Sequence, residues 1–465
     1  MAEEPLSREL VEQLVRERPQ AAVELILQQG EAIVRQQRAI EALEKRVAQL
    51  EEALRQSGGG GAGAAPFRLE PGKRKETPKA PGRKAGHRGE FRSAPEVIDQ
   101  TIEVSLERCP ICGEPIAQSV PIEQTIIELP SVRPETIRLI TYRGRCQHCD
   151  RVVHSGHPLQ VSEACGAAGI QLGPRALASA ALLRHGVGLT LRSCCAVLDR
   201  LFALRVSAAG LSRGLDRLAR RMEGSYEELT KQLRTSAVIH TDETSWWLQN
   251  ESSSLWVFTT PEQTLYRVVE HRDRATFHQT IAPDYPGVLV SDCLSVYDDA
   301  TVLQQKCYAH HLKAISAAQA ARAGPSEWLE QIEMLLRNAI ALGKQRGELE
   351  PDQWQQRLRA LRLAAYVVLE ETPRACLQEE AVRARLWKQR DHLFVFLDHT
   401  GVDPTNNLAE RQLRPAVIRR KLSCGNKTQR GAHTFEVLAS LAATCRQRGQ
   451  DFLQMATDAA RLQPA

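Results

Sequence analysis

The chain has 465 residues, of which 42% are hydrophobic and 25% charged, and its formal net charge is +5. This length predicts two to four domains, and the composition is that of a soluble globular protein. Twelve cysteines are too few for a small disulfide-rich secreted scaffold. The N-terminus lacks a secretory signal and no stretch is apolar enough to span a bilayer, so we expect a cytoplasmic protein without membrane contact.

Residues 1–56 are predicted to form a coiled-coil oligomerisation helix. Apolar residues recur every seven positions from Ile26 to Leu54, which is the pattern of a coiled-coil seam. An amphipathic helix packed on its own domain is the alternative. We favour self-association into a homo-oligomer, because a linker rather than more core follows this helix.

A basic flexible linker is predicted over residues 57–100. It opens with glycines at positions 58–61, and prolines further along discourage regular structure. Several of its cations could lie on nucleic-acid phosphates: Lys73, Arg74, Lys75, Arg83 and Lys84. A linker that is merely solvated is the alternative.

Two Cys-x-x-Cys pairs predict a zinc ribbon over residues 101–160. The pairs are Cys109 with Cys112 and Cys146 with Cys149. Four thiolates suit a closed structural Zn²⁺ site. A β-hairpin with strands at 125–129 and 136–142 is expected between the pairs. A redox role is less favoured, since one metal ion accounts for both pairs.

Residues 161–235 are predicted to form a helical domain that resembles a helix-turn-helix unit and contacts DNA. Pro174 suits the start of a helix, a second helix runs through Phe202, and a third opens at Ser207. A helical spacer domain is an equally good interpretation.

From residue 236 the pattern becomes α/β. Strands are predicted at 237–242, 255–259, 264–269, 287–292 and 306–310, with short helices before and after the fourth. This order is that of a ribonuclease H-like fold, so the protein is predicted to be multidomain with an α/β ribonuclease H-like catalytic core. The core is assigned to 236–311 and 399–450, with a helical insertion at 312–398 and a C-terminal tail at 451–465.

Asp242 and Asp292 each end a predicted strand of this core. The first and fourth strands lie side by side in the ribonuclease H-like architecture, so the two carboxylates are expected to meet. Glu243 is a weaker candidate, because alternation along the strand turns its side chain to the opposite face. Asp298 and Asp299 are also weaker, because they follow the strand by more than one helical turn.

Glu410 is expected to complete this acidic cluster. It shares one face of a predicted helix with Asn407, Arg411 and Arg414. Three apolar residues on the opposite side could pack inward: Ala409, Leu413 and Ala416. Three carboxylates could hold two divalent ions about 4 Å apart, which activate the attacking oxygen and stabilise the leaving oxygen of a phosphodiester. The alternative is a surface helix in which Glu410 pairs with Arg414 at i, i+4.

Three blocks of sequence resemble the signature blocks of the insertion-sequence-66 (IS66) family of transposases. They are His240–Thr244, Cys307–His310 and Asn406–Pro415. The resemblance covers nearly the whole chain. It implies a DDE transposase of a bacterial insertion sequence, which hydrolyses DNA at the element ends to free 3′-hydroxyls and transfers these to target DNA.

By position, the resemblance assigns Asp242, Asp292 and Glu410 as the catalytic triad, holding two Mg²⁺ or Mn²⁺ ions. Nearby cations are expected to contact DNA: Arg411, Arg414, Arg419, Arg420 and Lys421. Asn407 and His310 are further active-site candidates. The implied partners are double-stranded DNA with terminal inverted repeats, target DNA and, potentially, accessory transposition proteins. The protein would associate with the bacterial nucleoid when bound to DNA.

One block departs from the family pattern. Many relatives carry Asp-Gly-Tyr where this chain has Asp292-Cys293-Leu294. Two other functions stay open at this point. One is a non-catalytic DNA-binding protein derived from a transposase, and the other is a nuclease of the same fold that cuts without joining.

Overall fold

The computed structural model describes residues 95–162, 170–298, 302–322, 324–370 and 376–461. These residues are divided between Ile126 and Ile127 into two units. The predicted coiled coil and the cations of the basic linker lie outside the described residues. Within these ranges, no helix is both long and apolar enough to cross a membrane.

Among the described residues before the sheet there are two short strands, four α-helices and a π-helical segment at Leu182–Gly186. The strands β1 (Arg143–Arg145) and β2 (Val152–His154) pair antiparallel. The helices are α1 (Pro174–Ala181), α2 (Leu191–Phe202), α3 (Ala208–Arg221) and α4 (Glu223–Arg234). The side chain of Ser207 accepts the N–H of Gly210 at the start of α3, which confirms the predicted helix start.

The hairpin predicted at 125–129 and 136–142 is wrong. These residues form neither helix nor strand, and the paired strands β1 and β2 instead enclose the second cysteine pair. The apolar side chains of the expected strands, such as Ile126 and Ile140, are exposed. A two-stranded hairpin without a core to cover one face has little stability in water, which explains why the apolar pattern misled.

The region from Val238 to Lys306 is built on a mixed five-stranded sheet. Its strands are β3 (Val238–Leu248), β4 (Glu251–Thr259), β5 (Thr264–Val269), β6 (Val288–Ser291) and β7 (Leu303–Lys306). The order is β5-β4-β3-β6-β7, with β3 to β5 antiparallel and β6 parallel to both β3 and β7. The predicted contact of the first and fourth strands is therefore confirmed. The sheet is compatible with a ribonuclease H-like core.

The strand β3 is longer than predicted. It continues past Asp242 to Leu248 and turns into β4 through Gln249 and Asn250. Both turn residues have positive φ, 55° and 70°, as a tight two-residue hairpin requires. Asp242 thus lies inside a strand rather than at its end.

The strand β7 lies earlier than the predicted strand at 306–310. Gln304, Gln305 and Lys306 are completely buried in it despite their polar side chains. The buried Gln305 carboxamide is satisfied, because it donates to the carbonyl of Leu393 and accepts the N–H of Phe396. The more apolar residues that follow Cys307 begin a helix instead.

Nine helices accompany the described sheet and the segments that follow it. They are α5 (Arg274–Thr280), α6 (Tyr308–Ala320), α7 (Glu327–Lys344), α8 (Pro351–Glu370), α9 (Leu377–Lys388), α10 (Val395–Asp398), α11 (Asn407–Ser423), α12 (Gln429–Arg448) and α13 (Phe452–Ala460). The helices α6 to α10 account for the predicted helical insertion. Short 3₁₀ turns lie at Ser295–Tyr297 and Arg390–His392.

The segment predicted as a C-terminal tail contains the helix α13. Phe452, Ala456 and Ala460 are buried in it, and the helix packs against α1. The same hydrophobic core includes Leu215 of α3 and Trp256 of β4. The helices α1 to α4 and one face of the sheet therefore share one core. On the other face, two further clusters join β6 to the insertion and β4 to α11.

The helix α12 closes the free edge of the sheet. Three backbone N–H groups of the edge strand β5 point at it, those of Thr264, Tyr266 and Val268. They donate to the side chains of Thr444, Ser440 and Glu436, at 3.1, 2.8 and 2.6 Å respectively. Four helical residues advance about 6 Å and two strand residues about 6.7 Å, so the two spacings match. The helix thus satisfies backbone donors that an edge strand normally exposes.

His433 ties α12 to α4 and gives the fold a predicted pH dependence. Hydrogen bonds to Glu436 and Glu223 raise the pKa of His433 to about 9. A histidine with a raised pKa stabilises the fold fully below about pH 6.5, and this stabilisation is lost as the pH rises through about 9.

We therefore expect His433→Gln to lower the free energy of unfolding by about 1 kcal/mol at about pH 6, a value discounted for solvent screening. The loss should vanish near pH 10. Urea unfolding of both proteins at the two pH values measures it. An equal loss at both would contradict the assignment.

Candidate active site

Three acidic side chains meet where β3 and β6 diverge. The strand β3 pairs with β6 only from Val238 to His240, and Asp292 directly follows the last residue of β6. One carboxylate oxygen from each of Asp242, Glu243 and Asp292 lies within 4.8 Å of the other two. The prediction that the carboxylates of Asp242 and Asp292 lie close together is therefore confirmed.

The structure corrects the expectation that Glu243 stands apart. Asp242 lies opposite Val257 of β4 and Glu243 lies opposite Trp256, so the two do alternate between the faces of the sheet. Because β6 no longer pairs with β3 at this level, both carboxylates can still reach the same edge. Alternation alone was therefore not a sufficient reason to rank Glu243 below Asp242.

Mutual repulsion and burial dominate the electrostatics of this acidic cluster. Burial, followed by the charges of Glu243 and Asp292, raises the pKa of Asp242 to about 7, and the charge of Glu410 adds to this. The pKa of Glu243 is also raised, by burial and by Asp292. Carboxyl groups that repel one another in this way fit a divalent cation with hard oxygen ligands.

Other side chains hold Glu243 in place. Arg272 forms an ion pair with its carboxylate, and the hydroxyl of Tyr297 donates to the same group at 2.8 Å. The Tyr297 ring is fully buried and packs against Trp256. Glu243 is thus anchored on the apolar face of the sheet while its carboxylate stays within reach of Asp242.

Lys306 is a buried cation close to Asp292. Its Nζ donates to the Ser291 hydroxyl at 3.1 Å and lies 5.1 Å from the centre of the Tyr297 ring. Burial lowers the pKa of Lys306 to about 8, while Cys293, Asp298 and Asp292 favour its charged form. Sequence reasoning missed this residue, since a lysine after two glutamines gives no hydropathic signal of burial.

Glu410 approaches from the helix α11. Ala409, Leu413 and Ala416 are buried on the other side of this helix, as its pattern predicted. The Glu410 carboxylate makes no hydrogen bond or ion pair with the residues that the structure describes. The alternative pairing with Arg414 is therefore not formed. Glu410 instead forms a group of potential metal ligands with Cys307 and His310, with one ligand atom of each within 4.8 Å of the others.

Asn406 fixes the start of α11, although sequence reasoning singled out its neighbour Asn407. The side chain of Asn406 is fully buried and donates to the carbonyl of Thr241 at 2.7 Å. Its backbone N–H donates to Cys307 Sγ at 3.1 Å. This residue therefore joins the strand that carries Asp242 to the helix that carries Glu410. Asn407 is exposed at the first position of α11.

The predicted DNA-contacting cations of α11 divide into three groups. Arg411, Arg414 and Lys421 are exposed. Arg420 donates to the hydroxyls of Thr244 and Ser245, at 2.8 and 2.6 Å, and so rests on β3.

Arg419 does not fit the predicted surface role. It is buried, its guanidinium lies 4.4 Å from the centre of the Phe435 ring, and it contacts His185 Nδ1 at 3.2 Å. Arg419 is a core residue because a cation–π contact offsets part of its desolvation.

The segment after β6 contains Cys293 at the position where many relatives carry glycine. Cys293 does not adopt a positive φ, so this position does not need glycine. The N–H of Leu294 donates to Asp292 Oδ1 at 3.0 Å and orients that carboxylate. Asp298 forms an ion pair with Lys388 at 2.6 Å and stays outside the acidic cluster, while Asp299 lies outside the described residues.

The two cysteine pairs have the same local geometry, each within its own unit. The N–H of Gly113 donates to the carbonyl of Cys109, and the N–H of Asp150 donates to the carbonyl of Cys146. Both donors have positive φ, 80° and 58°. Backbone N–H groups within each loop lower the pKa values of Cys109 and Cys146. Each loop thus favours a thiolate, as a zinc knuckle requires. A joint site of Cys109, Cys112, Cys146 and Cys149 stays a prediction.

The sequence model of the family described as "Transposase IS66 family" matches residues 169–434, more than half of the chain. The chain belongs to the IS66 transposase family. The matched region contains the acidic cluster, Glu410 and the helical insertion, and it begins after both cysteine pairs. A comparison with curated proteins found no match. Membership gives the transposase a transposition-related function and implies DNA as its substrate.

The raised pKa of Asp242 predicts that this residue costs the transposase stability at neutral pH. A buried carboxyl with a raised pKa is penalised as the pH rises from about 4 through about 7, because the unfolded chain ionises freely. We therefore expect Asp242→Asn to stabilise the metal-free protein by about 2 kcal/mol at about pH 8, with a smaller gain toward pH 4.

With Mg²⁺ the wild type should become more stable than Asp242→Asn, because the ion binds and stabilises the wild type and not the variant. Thermal unfolding with and without Mg²⁺ measures both effects. A variant that gained as much from Mg²⁺ as the wild type would place the cation elsewhere.

The two adjacent asparagines provide a matched pair of variants. Asn406→Ala should cost about 1–3 kcal/mol in the free energy of unfolding, because it leaves the Thr241 carbonyl buried without its donor. Asn407→Ala should change stability by less than about 0.5 kcal/mol, since its side chain is exposed. Urea unfolding of both variants tests this. Equal losses would show that Asn406 does not fix the helix start.

Proposed function

We propose that this transposase cuts DNA at the ends of an insertion sequence and joins the freed 3′-hydroxyls to target DNA, with Asp242, Asp292 and Glu410 as its catalytic residues. The observation that carries the proposal is the meeting of the acids of β3 and β6, in a chain of the IS66 family whose helix α11 is joined to β3 by Asn406. The raised pKa of Asp242, to which Glu410 contributes, supports their proximity.

The donor set of this site fits Mg²⁺ or Mn²⁺, because it consists of carboxylates. Asp242 and Asp292 would hold the ions, with Glu243 available on one side and Glu410 on the other. When bound, a pair of such ions supplies activation of the attacking oxygen and stabilisation of the leaving oxygen of a phosphodiester. Protonated Asp242 must lose its proton before it can act as a ligand, so ion binding should strengthen as the pH rises.

The remaining residues position these ligands and receive the substrate. Leu294 N–H orients Asp292, and Asn406 ties the helix of Glu410 to the strand of Asp242. The charge of Lys306 offsets part of the negative charge of the acidic cluster. The exposed side chains of Arg411 and Arg414 lie on the same helix as Glu410, where phosphates of bound DNA could contact them.

Substrate capture beyond the active site is part of the same proposal. The four cysteines would hold one structural Zn²⁺, and the linker cations would contact DNA phosphates without reading sequence. Self-association through residues 1–56 would bring two element ends together. Arg420 can assist only if it releases Thr244 and Ser245.

A strand-transfer assay on DNA carrying the element's own ends tests the proposal. We expect Mg²⁺-dependent nicking and joining by the wild type, and a loss of about 10³-fold or more for Asp242→Asn, Asp292→Asn and Glu410→Gln. Asp284→Asn is the matched control, because Asp284 is exposed in a turn away from the acidic cluster.

Each alternative has its own result in this assay. Cleavage without joined products would favour a nuclease of the same fold. DNA binding without any Mg²⁺-dependent cleavage would favour a non-catalytic derivative. Full activity of the Asp292 and Glu410 variants would rule out the assigned residues.

A further inference from the structure

A second group of potential metal ligands lies beside the acidic cluster and differs from it in chemistry. It consists of Cys307, His310 and Glu410, and one ligand atom of each lies within 4.8 Å of the others. Cys307 immediately precedes α6 and His310 lies in the first turn of that helix, so the two are three residues apart on one side. Glu410 comes from the first turn of α11.

These three side chains have little else to bind. The Glu410 carboxylate has no hydrogen-bond or ion-pair partner within the described ranges, although Arg411 and Arg414 are its neighbours in the helix. His310 Nδ1 is buried without a hydrogen-bond partner there. Cys307 is fully buried, and its Sγ accepts the backbone N–H of Asn406. A buried ring nitrogen and a carboxylate without partners carry a cost that a bound cation would remove.

The donor set decides which cation fits. A thiolate, an imidazole and a carboxylate are ligands of Zn²⁺, which often takes three protein ligands and leaves a fourth position open. Mg²⁺ prefers oxygen ligands alone, as in the neighbouring group of Asp242, Glu243 and Asp292. Burial raises the pKa of the Cys307 thiol, whereas the N–H that Asn406 donates to Sγ favours the thiolate. A bound cation therefore has to displace the thiol proton.

We propose that Cys307, His310 and Glu410 form a Zn²⁺-binding site next to the Mg²⁺ site. Glu410 belongs to both, so zinc bound here would take the carboxylate that the Mg²⁺ site needs. That consequence rests on the proposed function, whereas the binding of zinc does not. A thiolate site of this kind would make the transposase sensitive to the supply of transition-metal ions.

Cobalt absorption spectroscopy tests the site without any assay of activity. The full-length protein is first given a single equivalent of Zn²⁺, which the four thiolates of the predicted ribbon should take up in preference to a site with three protein ligands. Co²⁺ is then titrated in. We expect about one further equivalent of Co²⁺ with visible bands of a four-coordinate ion and a thiolate-to-cobalt band in the near ultraviolet. Added Zn²⁺ should abolish both bands.

Three variants assign the signal. Cys307→Ser should remove the thiolate band, and His310→Ala should weaken Co²⁺ binding by about tenfold or more. Cys445→Ser is the control, because Cys445 is also buried but lies on α12 and contacts Met455. His310 is only partly buried, so its variant decides the question if Cys307→Ser does not fold. Wild-type signal in both variants, or no Co²⁺ beyond the ribbon's share, would overturn the proposal.

Discussion

Repulsion among buried carboxylates is the constraint on which the rest of this structure depends. Asp242, Glu243 and Asp292 bring acidic oxygens within 4.8 Å of one another at the edge of a sheet. Such a cluster opposes folding unless protons, cations or hydrogen bonds offset its charge. The fold supplies only part of this: Arg272 pairs with Glu243, and Lys306 lies below. What remains is a cluster of acids whose charge a divalent cation could offset.

The surrounding elements keep this arrangement rigid. The long hairpin of β3 and β4 gives Asp242 a fixed position inside a strand, and the buried Trp256 anchors the face that carries Glu243. The helix α12 accepts hydrogen bonds from backbone N–H groups of the edge strand β5. The helix α11 packs through Ala409 and Leu413 on the face of β4 that does not carry Trp256. Asn406 then couples these parts with one hydrogen bond to β3 and one to Cys307. Contacts within the fold thus position the proposed ligands.

Sequence reasoning could predict those features that follow from chain order and apolar periodicity. The neighbouring strands β3 and β6, the meeting of Asp242 with Asp292 and the apolar back of α11 belong to this class. It failed where tertiary contacts override local pattern. The polar strand β7 is buried because Leu393 and Phe396 satisfy Gln305, and Arg419 is buried against Phe435. Glu243 was ranked below Asp242 by a correct rule of alternation, because the sequence does not show where the pairing of β3 with β6 ends.

The central claim is that the acids of β3 and β6 and Glu410 surround one divalent-cation site. Iron-directed cleavage tests it most directly: Fe²⁺ replaces Mg²⁺, and the radicals that it generates with ascorbate and peroxide cut the chain next to the bound ion. The account predicts cuts close to Asp242, Asp292 and Glu410 that disappear with excess Mg²⁺ and in Asp242→Asn. Cuts confined to other segments, or unaffected by that substitution, would contradict it.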